Sequence, residues 1–256
     1  MTRGFAMLCA KAWRESRQRF AISALLVGGL CAGLVLFHQL FQERMAAAGS
    51  PMTSFAAYAY GRIYGSVVRS LFVILAILLG LGGLSREATE RTIGFTLALP
   101  VRRIDHVLAR AAVGLGQVAA LAALPIGLVP GCAALVGERF AIAQAAQFAL
   151  LWLAVGAAAF AASFVVSVVV RGDHAALAVA MVALRIVPLV LARLPLVGRW
   201  QLSPDRLMSG RGMSYFDAAA QQLIAIPWSV IAGALAVALT LLAIAAQVTA
   251  RDRFLQ

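Results

Sequence analysis

Six runs of apolar residues, each close to the length of a bilayer, decide the fold class of this chain before any motif is considered. They cover residues 20–41, 67–84, 107–136, 146–170, 175–192 and 224–246. The hydrocarbon layer is about 30 Å thick, and an α-helix needs about 20 apolar residues to cross it. Lipid offers no partner to open backbone groups, so each run must satisfy its N–H and C=O groups internally, as a helix. The two-residue alternation of a membrane β-barrel is absent. The expected architecture is therefore all-α: a polytopic membrane protein with six transmembrane helices. At 62% hydrophobic residues and 256 residues in all, the spans use most of the chain. The whole of 1–256 reads as a single transmembrane domain with no room for a soluble one.

A formal net charge of +12 invites a nucleic-acid reading, but the basic residues sit at the ends of spans, where membrane topology places them. With both termini inside, the inner segments hold Arg3, Lys11, Arg14, Arg17, Arg19, Arg86, Arg91, Arg102, Arg103, Arg110, Arg171, Arg251 and Arg253. The outer ones hold only Arg44, Arg62, Arg139, Arg193, Arg199, Arg206 and Arg211. That excess favours both termini in the cytoplasm, lipid phosphates as the partners of the arginines, and no nucleic acid. Ala46-Ala47-Ala48 after the first run looks like a signal-peptidase site, yet the apolar run is longer than the usual 7–15 residues and is expected to stay as an anchor. Cys9, Cys31 and Cys132 form neither a disulfide framework nor a metal signature, and read as small packing residues.

Along the chain, Phe5, Leu8, Cys9, Ala12 and Trp13 follow helical spacing, with Lys11, Arg14, Glu15 and Gln18 largely on the other face. Residues 1–19 are thus expected as an interfacial helix lying on the membrane before the chain turns inward, with Glu15 and Arg19 paired at i, i+4. Ser50-Pro51 is a helix-start signal. Tyr58, Tyr60 and Tyr64 fit an interfacial aromatic belt, and Arg69 is expected to snorkel to the headgroups. Pro125 and Pro130 should kink or break the third span. Arg171-Gly172-Asp173-His174 reads as a tight inner turn. The segment 193–222 is the largest extracytoplasmic loop, in which Ser203-Pro204 starts a short helix and Gly210 and Gly212 end it.

No Asp or Glu lies inside any of the six runs, which disfavours proton-coupled carriage through intramembrane carboxylates. His38, His106 and His174 are scattered near span ends, and HExxH, GxSxG and paired carboxylates are missing, so no catalytic residue and no metal site is expected. There is also no GxxxxGK[ST] phosphate loop. A helical membrane domain without chemistry of its own needs an external driver. The one long charged island between spans, residues 85–110, is where such a driver can act. Within it Glu87 and Glu90 precede the apolar run 93–99, and Pro100-Val101-Arg102-Arg103 closes it, as in a short amphipathic helix stopped by proline.

The stretch Glu90-Arg91-Thr92-Ile93-Gly94-Phe95-Thr96-Leu97-Ala98-Leu99-Pro100-Val101-Arg102-Arg103 resembles the signature between spans two and three of ABC-2 type transporter permeases. Glu90, Thr92, Leu97, Leu99, Pro100, Val101 and Arg103 match, while Arg91 stands where a glycine is usual and Gly94 where an acid is common. Leu202-Ser203-Pro204 is similar to a second, weaker family feature. The resemblance implies a cytoplasmic coupling segment, 85–106, whose helix (85–103) docks on a separate ABC ATP-binding subunit through Glu87, Glu90, Arg91, Thr92, Ile93, Phe95, Leu97, Leu99, Pro100 and Arg103. It also implies a second permease copy or paralogue, for which the pairs Gly29/Gly33 and Gly127/Gly131 suit close helix contact. ATP and Mg would bind the partner subunit, with no cofactor on this chain.

The implied function is the permease subunit of an exporter in the bacterial inner membrane, of the kind that moves lipids, polysaccharides, peptides, drugs or ions. Arg185, near the middle of the fifth run, and Gln117 in the third are the candidates for a substrate path. Three other readings stay open. The island can anchor on lipid alone; the protein can be an ABC-driven assembly or signalling component without cargo; or it can be a stand-alone channel or carrier.

Overall fold

The computed structural model describes residues 2–47, 54–81, 103–170, 204–210, 213–217 and 222–251. Helices dominate it. In chain order they are α1 (Thr2–Leu36), α2 (His38–Ala47), α3 (Phe55–Ala59), a π-helical turn (Tyr60–Tyr64), α4 (Val67–Gly80), α5 (Arg103–Leu135), α6 (Ile142–Val169), α7 (Pro204–Ser209) and α8 (Trp228–Arg251). Five stretches are long and apolar enough to cross a membrane: Gly4–Leu36, Phe55–Gly80, Ile104–Leu135, Ile142–Val169 and Trp228–Ala250. They coincide with five of the six expected spans. The remaining one, 175–192, lies outside the described residues, as do the inner turn 171–174 and the whole of 82–102. The protein is a helical, multi-pass membrane protein.

α6 is the hub. It packs against α4, α5, α7 and α8, while α1 lies along α5. Small residues let these helices close up. A Cβ at Gly80 would collide with Ser163 and the Phe160 carbonyl, one at Gly114 with the Phe160 ring, and one at Gly156 with the Phe72 ring. Gly29, Gly33, Gly127 and Gly131, the glycines singled out by spacing, meet nothing within 4 Å in this chain. Helical spacing alone does not say which face a neighbour occupies.

Three local expectations are corrected. Residues 2–19 do not form a separate interfacial helix, because α1 runs unbroken to Leu36, about 52 Å at 1.5 Å per residue. Nothing between Phe5 and Val27 is Gly or Pro, so the chain has no cheap place to turn. Next, Tyr58, Tyr60 and Tyr64 are not a belt at the lipid surface. All three are at most 1% exposed and packed into the protein. Tyr58 Oη donates to the Leu34 carbonyl at 2.8 Å and Tyr60 Oη to the Ser209 carbonyl at 2.9 Å, so their hydroxyls are spent on protein rather than headgroups. Finally, Arg69 does not snorkel outward: it is 9% exposed. The second span begins at Phe55, not Val67, so Arg69 lies roughly 20 Å along it, too deep to reach the surface. Tyr60 and Tyr64 are the first and last residues of the π turn, and both are buried.

Pro125 and Pro130 stay inside an uninterrupted α5. The helix that follows α2 starts at Phe55 under a Ser54 cap, whose Oγ accepts from the Ala57 N–H at 3.2 Å, while the Ser50-Pro51 signal lies outside the described residues. α5 ends in a tight turn with Gly137 at φ 79° and the Glu138 N–H on the Ala133 carbonyl, which feeds directly into α6. In the segment 193–222, α7 begins at Pro204 as expected, and Gly210 at φ 69° closes it. Beyond it, Phe216–Asp217 and Gln222–Leu223 pair as a minimal antiparallel clip. Gln144 on α6 grips the Leu223 backbone through both its N–H and its carbonyl, each at 3.2 Å.

Candidate functional site

The described chain stops at Leu81 and resumes at Arg103, and α1 is bonded to Leu81 and, two turns beyond Arg103, to Arg110. α4 stops at Gly80, and Leu81 turns extended, with φ −87° and ψ 139°. That turn frees the Leu81 carbonyl from the helical ladder, and Arg19 Nη1 of α1 donates to it at 2.8 Å. On the other side, α5 starts at Arg103. Two turns further on, Arg110 Nη2 donates to Glu15 Oε2 at 2.6 Å. Its guanidinium is mostly enclosed, with 14% of the side chain exposed against 40% for Glu15. A pair with one partner this open is worth about 1 kcal/mol.

A second polar layer lies seven residues deeper. Gln117 is 2% exposed, and its Nε2 donates to Ser16 Oγ at 2.7 Å, while that hydroxyl donates to the Ala12 carbonyl at 2.8 Å. Gln117 Oε1 has no hydrogen-bond partner among the described residues. Glu15, Ser16, Gly80, Arg110, Gly114, Gln117, Phe160 and Phe164 line a cavity of about 40 Å³ where α1, α4, α5 and α6 meet. That volume suits one or two water molecules and nothing larger. Ser167 Oγ reaches the Gly80 carbonyl at 3.4 Å, so α6 also holds the end of α4.

Glu15 also lies 3.7 Å from Lys11. The expected Glu15–Arg19 pair is replaced, because each side chain finds a partner on another helix. Of the residues singled out from the sequence, Glu87, Glu90, Arg91, Thr92, Ile93, Phe95, Leu97, Leu99 and Pro100 lie outside the described residues, as does Arg185. Arg103 opens α5. Gln117 is the one whose surroundings are described, and they are the α1 contact and the small cavity. Sequence reasoning missed Glu15, Ser16, Arg19 and Arg110 as a group. Their partners are 62 to 101 positions apart, and nothing in a local window links them. No group of three or more metal-ligating side chains is found among the described residues. The arrangement holds helices and carries no reactive pair.

A sequence model of the family described as ABC-2 family transporter protein matches residues 3–197. The chain belongs to that family. The match runs from α1 through the end of α6 and includes the whole of 82–102, so the frame just described falls within it. This ABC-2 protein is therefore a permease, the membrane transport component of an ABC transporter, a family that works with an ABC ATP-binding subunit in general. No curated protein and no solved structure matches the chain.

Proposed function

We propose that the permease, a single domain over 1–256, serves a bacterial exporter in the cytoplasmic membrane, with both termini in the cytoplasm. A separate ATP-binding subunit, carrying ATP and Mg, docks on residues 85–103 and drives it. A second copy of this chain or a paralogue completes the transport unit. The observation that carries this reading is the pair of fixed ends. The motif-bearing segment joins the bundle at Leu81 and Arg103, and the structure around these points is bonded to α1 through Arg19 and Arg110. Force applied to the segment thus reaches the membrane helices instead of dissipating in a free loop. An apolar ridge of Ile93, Phe95, Leu97 and Leu99, rimmed by Glu87, Glu90, Arg91 and Arg103, suits a protein groove, because apolar contact supplies affinity and rim charge sets register.

Arg185 keeps its proposed place on the substrate path. Gln117 joins that path only if α1, α5 and α6 part, since the cavity beside it admits water alone. The test is affinity capture from native membranes, comparing wild type with the double variant Phe95→Asp, Leu97→Asp. An ATP-binding subunit should copurify with wild type and be lost with the variant. Its absence from gently solubilised wild type sinks the docking reading.

A further inference from the structure

The frame at the ends of 82–102 supports one step more, which rests on the docking reading above. We propose that Glu15, Ser16 and Arg19 of α1 form a polar clamp that sets the spacing of the two points from which the docking segment hangs, and that the ATP-binding subunit binds tightly only while this clamp is closed. Glu15 and Arg19 are one helical turn apart and so share a face of α1. One reaches the start of the third span through Arg110, the other the last described residue of the second through the Leu81 carbonyl. Ser16 adds the bond from Gln117, seven residues beyond Arg110 on α5. Three bonds from five consecutive residues of one rigid helix therefore tie α1 to both of its neighbours at this end. A change of tilt in α1 must alter the distance between Leu81 and Arg110.

The bonds are of a kind that can open and close. Glu15 is 40% exposed, and the cavity behind it is lined by Ser16, Arg110 and Gln117 and by apolar residues such as Leu79, Val113 and Phe160. Water can take over each polar group as the helices shift, so opening strands none of them against hydrocarbon. An apolar joint would offer no such alternative. α1 also reaches the far side of the bundle without a break. Leu34, whose carbonyl accepts from Tyr58, lies 19 residues from Glu15, about 28 Å away, close to the full hydrocarbon thickness. Glu15, Ser16 and Arg19 are positioning residues in this scheme. They touch neither cargo nor nucleotide.

The test uses the full-length permease coexpressed with its ATP-binding subunit, and measures capture of that subunit together with the thermal midpoint of the solubilised permease. Glu15→Arg and Arg110→Glu alone should each lower capture about fivefold, the size expected for losing a half-exposed charge pair. The exchange variant carrying both should recover it. Arg19→Gln removes only the Leu81 contact and should lower capture about threefold with the midpoint unmoved, which keeps the test alive if a charge reversal fails to accumulate. Wild-type capture by the single variants, beside a Phe95→Asp, Leu97→Asp control that loses the subunit, overturns the clamp and leaves the docking reading standing. Loss in the single variants that the exchange does not recover overturns it as well, because a folding defect then accounts for the effect. Wild-type capture by the Phe95→Asp, Leu97→Asp control removes the docking reading, and the clamp with it.

Discussion

The two ends of the bundle are built from different materials. The end that carries 82–102 is held by side-chain hydrogen bonds among Glu15, Ser16, Arg19, Arg110 and Gln117. The opposite end is a continuous aromatic core. Tyr64 stacks on Phe148 with ring centroids 4.3 Å apart and on Phe140 at 5.8 Å, Tyr60 stacks on Phe216 at 4.6 Å, and Phe72 stacks on Trp152 at 5.2 Å. Aromatic stacking buries large rings in fixed geometry, and truncation leaves a hole that the surroundings cannot fill. Charged contacts beside a water-sized cavity trade partners with water at modest cost. In the proposed clamp, one end stays and the other changes.

The comparison breaks first at the aromatic end. Trp152→Ala should destabilise the permease by about 3–5 kcal/mol, the usual cost of an aromatic deletion in a packed core, read as the unfolding midpoint in mixed micelles. A loss under about 1 kcal/mol, near the cost of opening the Glu15–Arg110 pair, would erase the distinction between the ends. Gly114→Val comes next, at about 1–3 kcal/mol, because the added carbons run into the Phe160 ring. Gly29→Ala is its control, and should change chain stability by less than about 0.5 kcal/mol. If Gly29→Ala instead disrupts association of two copies while leaving the single chain intact, that face is where the second copy sits.

A smaller effect is expected where the outer clip joins the aromatic core. Tyr60→Phe removes the donor to the Ser209 carbonyl and should cost about 1 kcal/mol, seen as faster proteolysis between Ser209 and Gln222. The smallest concerns Tyr215, in the same clip, whose phenol donates to the Leu207 carbonyl at 3.1 Å. Burial, with a smaller contribution from Tyr60, pushes that phenol from its ordinary 10.0 up to about 12. The folded form therefore holds the proton more tightly than the unfolded one. Its contribution is complete below pH 10 and is lost as pH rises through about 12. The tyrosinate absorbance that disappears in Tyr215→Phe should titrate in that window. Titration near pH 10 would mean that the phenol is open to water and the clip loosely held.

Much of the fold was legible in the chain because lipid imposes a severe constraint. Five apolar runs became five spanning helices with ends shifted by a few residues at most places, and Pro204 and Gly210 bounded α7 as their chemistry requires. The larger errors share a cause. Tyr58, Tyr60, Arg62 and Tyr64 lower the local hydropathy and make the second span read as starting at Val67, yet the three tyrosines are buried against protein, with the Tyr58 and Tyr60 hydroxyls bonded to backbone carbonyls. The same pattern makes Arg69 read as a surface residue. Polar groups read as interfacial in one dimension are interior in three when a neighbouring helix supplies their partner.

The amino-acid sequence by itself determined that this protein is helical, crosses the membrane several times, and carries between its second and third spans a motif-bearing segment that resembles an ABC-2 docking element. Each of these follows from local pattern: run length, breaker residues and a contiguous motif. Tertiary structure alone decided that Glu15 turns from Arg19 to Arg110, and that Gln117 faces Ser16 beside a water-sized cavity. Those choices depend on which helices become neighbours. Partners up to 101 positions apart are joined by the packing of Gly80, Gly114 and Gly156 against Ser163, Phe160 and Phe72, and not by anything a local window contains.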